Sequence, residues 1–137
     1  MHKCIDLALL AKARGDSAVG SVLVLDGNII GSGIEGGKTF GDITYHAEIE
    51  AIRDAKRLGT LDLSKSLLYT THEPCIMCSY VIRHSKISVV VMGMSTGDIG
   101  GVNSAYPLLL DKTVTKWSLA PTIISGVLEK ECRDLDK

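Results

Sequence analysis

The stretch LLYTTHEPCIMCSYVIRHSKISVVVM, residues 67–92 of a 137-residue chain, carries most of the information about the fold. Leu67 to Thr71 is a short β-rich run, and Ile87 to Met92, apolar but for Ser88, reads as a buried strand. Between them Pro74 suits the first position of a helix, where its missing N–H has no intrahelical partner, and that helix is expected to end near His84. Strand, helix and strand in succession argue for parallel strands joined by a crossover helix.

The flanking sequence extends this pattern. Residues 4–14 show helical spacing of apolar groups (Ile5, Ala8, Leu9) and stop at Gly15. Ser21 to Leu25 reads as a strand, Asp26-Gly27-Asn28 as a hairpin turn, and Asn28 to Ile34 as the returning strand. Gly31, Gly33, Gly36 and Gly37 are expected to mark a flexible or tightly turned loop. His46 to Leu58 reads as a helix with Ala47, Ala51, Ala55 and Leu58 on one face. Beyond residue 92 the sequence predicts a Gly-rich connection, a short helix-like piece around Ala105 to Leu110, a last strand at Pro121 to Ile124, and a closing helix from Val127 to Leu135. Five strands interleaved with helices give an α/β sandwich whose late strands are parallel, with residues 1–137 as one domain.

Composition narrows the function. Fifteen basic against sixteen acidic residues leave a net charge of -1, which argues against a large nucleic-acid footprint. Arg83, His84 and Lys86 form a short basic run, expected to be a solvated helix end. No apolar run is long enough to cross a membrane and no leader pattern opens the chain, so a cytoplasmic location is expected. Of four cysteines only Cys75 and Cys78 are close, which suggests metal chemistry; Cys4 and Cys132 are expected to be buried, inert thiols.

The chemistry sits in His46-Ala47-Glu48 and Pro74-Cys75-Ile76-Met77-Cys78. Cysteines three apart share a helix face, and in a first turn the helix dipole favours their thiolates. Two thiolates and the imidazole of His46 can hold zinc and leave the fourth tetrahedral position open, the pattern of a catalytic site. Glu48 lies two residues from His46, about 200° around a regular helix, so spacing alone does not bring both to one metal. The alternative is a closed structural zinc site with His72, three residues before Cys75, as fourth ligand.

His-Ala-Glu followed by Pro-Cys-x-x-Cys, with 28 residues between His46 and Cys75, resembles the cytidine deaminase superfamily. Gly41 to Ile49, Leu68 to Thr71, Glu73 to Cys78, His84 to Ile87 and Gly126 to Cys132 resemble the branch of tRNA adenosine deaminases, guanine deaminases and fungal cytosine deaminase. The resemblance implies a three-layer α/β/α sandwich around a five-stranded mixed sheet. It implies zinc on His46, Cys75 and Cys78, Glu48 as the general acid–base, and the Ala47 N–H as a contact to the substrate ring. A homodimer or larger oligomer is also implied. His72 is a candidate for the pocket mouth; Trp117, Tyr106, Tyr45 and Phe40 are candidates to stack on a flat ring or to pack in the core.

The expected reaction is hydrolytic release of ammonia from a small-molecule nucleobase, nucleoside or related heterocycle, with nucleic acid and membrane not expected as partners. The alternative is a tRNA adenosine deaminase; a non-catalytic zinc module is the second. The tRNA reading is weakened by the charge balance and by the ending Cys132-Arg133-Asp134-Leu135-Asp136-Lys137, which lacks the basic, aromatic character the resemblance leads one to expect. It is weakened again at Glu35, where the tRNA adenosine and guanine deaminases have Asn, while Ile34-Glu35 matches the Ile-Glu of cytidine deaminases. Glu35 is expected to read the substrate; the alternative is a solvated carboxylate in a mobile glycine loop.

Overall fold

A computed structural model describes residues 1–137. Strands β1 (Gly20–Leu25) and β2 (Asn28–Ile34) follow helix α1 (His2–Ala13). A one-turn helix α2 (Gly37–Phe40) leads to α3 (Ala47–Arg57). The crossover unit is β3 (Leu67–His72), α4 (Ile76–His84) and β4 (Val89–Met94), followed by β5 (Thr122–Ile124) and α5 (Glu129–Asp134). The sheet order is β2-β1-β3-β4-β5; β1 is antiparallel to both neighbours, and β3, β4 and β5 are parallel.

The hairpin is set by Asp26 and Gly27, both at positive φ (51° and 78°), a turn whose twist matches that of the strands it joins. Side-chain alternation along the strands then divides the core. Leu23, Leu68 and Val90 pack with Ala51, Ile52, Ala55 and Ile82 of α3 and α4. Val22 faces the other way, against Cys4 and Leu7 of α1. Helix α5 packs over β4 on this second face, where Leu135 meets Ala8 and Ala18. The result is the three-layer sandwich.

Several expectations change. Gly31 and Gly33 lie within β2 and not in a loop, because α3 lies directly on that strand. A Cβ on Gly33 would stand 1.9 Å from the carbonyl oxygen of Ala47, and one on Gly31 would stand 2.3 Å from that of Ala51. Gly37 opens α2. Pro74 precedes the helix N-cap, Cys75, where it stiffens the approach without occupying the first turn. Leu58 follows the last residue of α3 and is 69% exposed, so it does not share the buried face of Ala47, Ala51 and Ala55.

The piece around Ala105 to Leu110 forms turns and no helix, and Arg83 gives the reason. This residue is not solvated: it is 3% exposed, and its guanidinium donates to the carbonyls of Leu108 (2.7 Å) and Asp111 (2.6 Å). It also lies 4.8 Å over the ring of Trp117. Carbonyls turned inward to a guanidinium are not available to a helix, and Leu109 is driven into the core between them. Of the basic run only His84 and Lys86 are exposed. Cys4 and Cys132 are fully buried, and burial pushes the Cys4 thiol up to about 11, which makes it inert.

Substituting Gly33 should therefore be severe. Gly33→Ala forces α3 off the sheet and is expected to lower stability by roughly 2 kcal/mol or more. A thermal midpoint within a degree of the parent would show that α3 does not need this approach.

Candidate active site

The site lies at the carboxyl end of β3, where the N-termini of α3 and α4 converge. His46 is the N-cap of α3 and has extended backbone angles (φ -87°, ψ 149°). It stands outside the helical rotation, which is how it and Glu48 reach one point despite their spacing. Cys75 is the N-cap of α4 and Cys78 its third residue. The Nδ1 of His46 is 3.5 Å from the Sγ of Cys75 and 3.4 Å from that of Cys78. All three donor atoms lie within 4.8 Å of one another.

This group fits zinc. With nitrogen at about 2.0 Å and sulfur at about 2.3 Å, a tetrahedral N···S edge is about 3.5 Å. Two soft sulfurs and an imidazole are also the donor chemistry zinc prefers. His72 is not part of the group. Its Nδ1 lies 2.8 Å from Thr71 Oγ1 and its Nε2 3.3 Å from an Asp136 oxygen, so the closed four-ligand arrangement does not form.

The hydrogen bond from Cys78 pulls the Cys75 thiol well below its ordinary range, and the same contact with burial pushes Cys78 up. The hydrogen bond to Cys75 also raises His46. A dication held by these residues would keep both sulfurs as thiolates.

Glu48 is 4% exposed, and burial pushes its carboxyl up to about 7. One oxygen is 3.6 Å from Cys78 Sγ and the other 3.4 Å from Thr70 Oγ1, which in turn receives the Ser21 hydroxyl at 2.8 Å. Sequence reading missed this pair. Its signal is the one hydroxyl of the otherwise apolar β1, Ser21, which is the register partner of Thr70 in β3.

Above the donor group is a cavity of about 280 Å³ whose lining includes Glu35, His46, Glu48, His72, Cys75 and Asp136. No lysine or arginine lines it. Glu35 is only 9% exposed, and its segment is pinned. The Glu35 N–H donates to Val19 O (3.2 Å), its carbonyl accepts from Arg14 (2.7 Å), and its carboxylate accepts the Gly37 N–H (3.2 Å). Asp16 also accepts the N–H groups of Lys38 and Thr39 at 3.0 and 2.9 Å. Glu35 is thus a buried carboxylate in a hydrogen-bonded segment and not a solvated one.

Ala47 is fully buried and is not among the lining residues, although its amide has no partner within the protein. The aromatic candidates are elsewhere. Trp117 packs under Arg83, Phe40 and Tyr45 stack on each other at 4.2 Å, and Tyr106 is exposed. Glu73, also missed, is a buried carboxylate at the cavity wall. Burial alone would raise it, but hydrogen bonds from Ser95, Thr96, Val102 and Asn103 outweigh that and hold it ionised. It thereby ties the segment 95–103 to the site.

Residues 1–94 match the family described as the cytidine and deoxycytidylate deaminase zinc-binding region. A tRNA-specific adenosine deaminase of Haemophilus influenzae is 40% identical over 134 residues, covering 96% of this chain and 76% of the relative. A solved structure from work on A-to-I editing by tRNA:A34 deaminases at the wobble position superposes with a TM-score of 0.89 at 32% identity, covering 98% of this chain and 96% of the other. The guanine deaminase of Bacillus subtilis gives 0.65 at 34% identity, covering 69% and 61%. Sequence, fold and donor chemistry agree, and the chain belongs to the cytidine and deoxycytidylate deaminase family of zinc-dependent hydrolytic deaminases.

Proposed function

We propose that this chain hydrolyses the exocyclic amine of a free nucleobase, a nucleoside or a related small heterocycle, with His46, Cys75 and Cys78 holding zinc and Glu48 carrying the proton. Zinc, when bound, supplies a Lewis acid that brings the pKa of a water toward about 7. Glu48 stands beside the residues that would hold the zinc, with one oxygen against Thr70 and the other against Cys78. It takes a proton from the attacking water and delivers it to the ring nitrogen next to the amine-bearing carbon. It then passes the second water proton to the departing nitrogen, which leaves as ammonia, and the ring keeps a carbonyl oxygen. The N-terminus of α3, with its free Ala47 amide, favours negative charge in this corner of the site.

The observation that carries the small-substrate reading is the cavity lining. It contains the carboxylates of Glu35, Glu48, Glu73 and Asp136 and no cationic side chain. A phosphodiester backbone entering such a mouth meets repulsion and releases few counterions.

Adenosine within a tRNA is the second reading, and the relatives favour it. The Haemophilus influenzae protein is named for that activity, and the structure with a TM-score of 0.89 comes from work on tRNA deaminases. Glu35 separates the two readings. An ionised Glu can only accept hydrogen bonds, so it suits a substrate edge that offers donors.

The metal assignment predicts about one zinc per chain by elemental analysis, lost in His46→Ala and Cys75→Ala. Full occupancy in both variants would mean that other residues bind the metal. Glu48→Gln should keep zinc and fold but lose at least ~100-fold in turnover, the lower range for a general acid–base group; near-parental turnover removes Glu48 from the mechanism. An ammonia-release screen over free bases and nucleosides, run beside an anticodon stem-loop at physiological salt, tests the substrate class. Turnover of a small ring with the stem-loop adenosine unchanged is expected. Conversion of the stem-loop with no small ring turned over would establish the second reading instead.

A further inference from the structure

His72 and Asp136 take no part in the proton transfers above, yet both line the cavity. The backbone around Asp136 is held from one side. Lys12 Nζ donates to the carbonyls of Leu135 at 2.8 Å and of Lys137 at 2.6 Å, and Leu135 is buried with Ala8 and Ala18. Both neighbours of residue 136 are therefore anchored toward α1, while the Asp136 side chain reaches His72, with Oδ1 3.3 Å from Nε2. No other residue bonds this carboxylate, and Oδ2 has no partner within the protein.

His72 is in turn locked from behind. Thr71 Oγ1 accepts the Gly20 N–H at 3.3 Å, which leaves its own proton to donate to His72 Nδ1 at 2.8 Å. An imidazole that accepts at Nδ1 carries its proton on Nε2 and donates it to Asp136. Burial pushes His72 below its ordinary range, in keeping with a neutral ring in this role. The relay from Gly20 through Thr71 and His72 holds one carboxylate oxygen and leaves the other for whatever enters the cavity.

Building on the small-ring reading, we propose that Asp136 is a substrate-reading carboxylate positioned by His72. With Glu35 it selects rings that carry N–H donors on edges other than the one hydrolysed, as diamino-substituted purines, pyrimidines and triazines do. Glu35 and Asp136 come from different segments and both only accept hydrogen bonds. A ring nitrogen lone pair facing either one is repelled, and a donor there is bonded. A site built around such bonds rejects analogues that lack the donor more strongly than a purely apolar pocket rejects a missing methylene.

The test is steady-state kinetics on 2,6-diaminopurine against adenine, with zinc content measured for each variant. The parent should favour the diamino ring by at least about tenfold in kcat/KM, and Asp136→Asn should remove most of that preference through KM, the effect of one partly exposed charged hydrogen bond. His72→Leu should behave like Asp136→Asn, whereas His72→Gln, whose amide can still donate to Asp136, should restore most of the preference. Zinc content should stay at the parental level throughout. An unchanged ratio in Asp136→Asn, or a parent that prefers adenine, overturns the proposal. If the parent turns over only a stem-loop adenosine, the small-ring reading fails on its own. The KM of Asp136→Asn for that stem-loop then decides the residue: an increase of about tenfold keeps Asp136 as a substrate contact, and no increase removes it.

Discussion

Everything at the active site depends on how closely α3 lies on β2. With a glycine at 33 the strand backbone runs against the carbonyl of Ala47, at a distance that excludes any side chain. That carbonyl belongs to the first residue of α3, between His46 and Glu48. The depth of the helix in the sheet therefore sets the positions of His46 and Glu48 together. A tenth of a nanometre of lift would move both away from the sulfurs of Cys75 and Cys78, which are fixed by a different helix on a different strand.

The second requirement is electrostatic. Two helix N-termini bring partial positive charge to a corner that holds two sulfurs and a buried carboxylate. Without it, burial of so many groups that work as anions would be prohibitive. Thr70 and Ser21 add hydroxyl donors under Glu48. The rest of the cavity takes the opposite character, since Glu35 and Asp136 present acceptors to any ligand.

Positioning of the walls relies on buried polar groups that are nearly saturated. Glu73 collects five hydrogen bonds from the segment after β4, Arg83 gathers carbonyls from the segment before β5, and Asp16 holds the start of α2. Each ties an irregular segment to a regular element. This is the arrangement expected where loops must be held as rigidly as helices, since a buried charge left unsatisfied would cost several kcal/mol.

Local chemistry determined what the sequence alone could show. The hairpin at Asp26-Gly27 and the alternation of strands and helices rest on preferences that act within a few residues and were legible for that reason, whereas His46 and the pair Cys75 and Cys78, with 28 residues between them, stood out as a trio through their resemblance to a family pattern. Glu35 was legible as a candidate because it departs from a familiar pattern. The roles of Gly33, Arg83, Thr70, Glu73 and Asp136 were not legible, because each depends on a partner 14 to 64 residues away. Arg83 looked like part of a solvated charge run, and Gly33 like part of a loop. Only the packed sheet brings the carbonyls to the one and the helix to the other. Burial and long-range hydrogen bonding are properties of the assembled fold, so the tertiary structure decided which polar residues form the walls of the site.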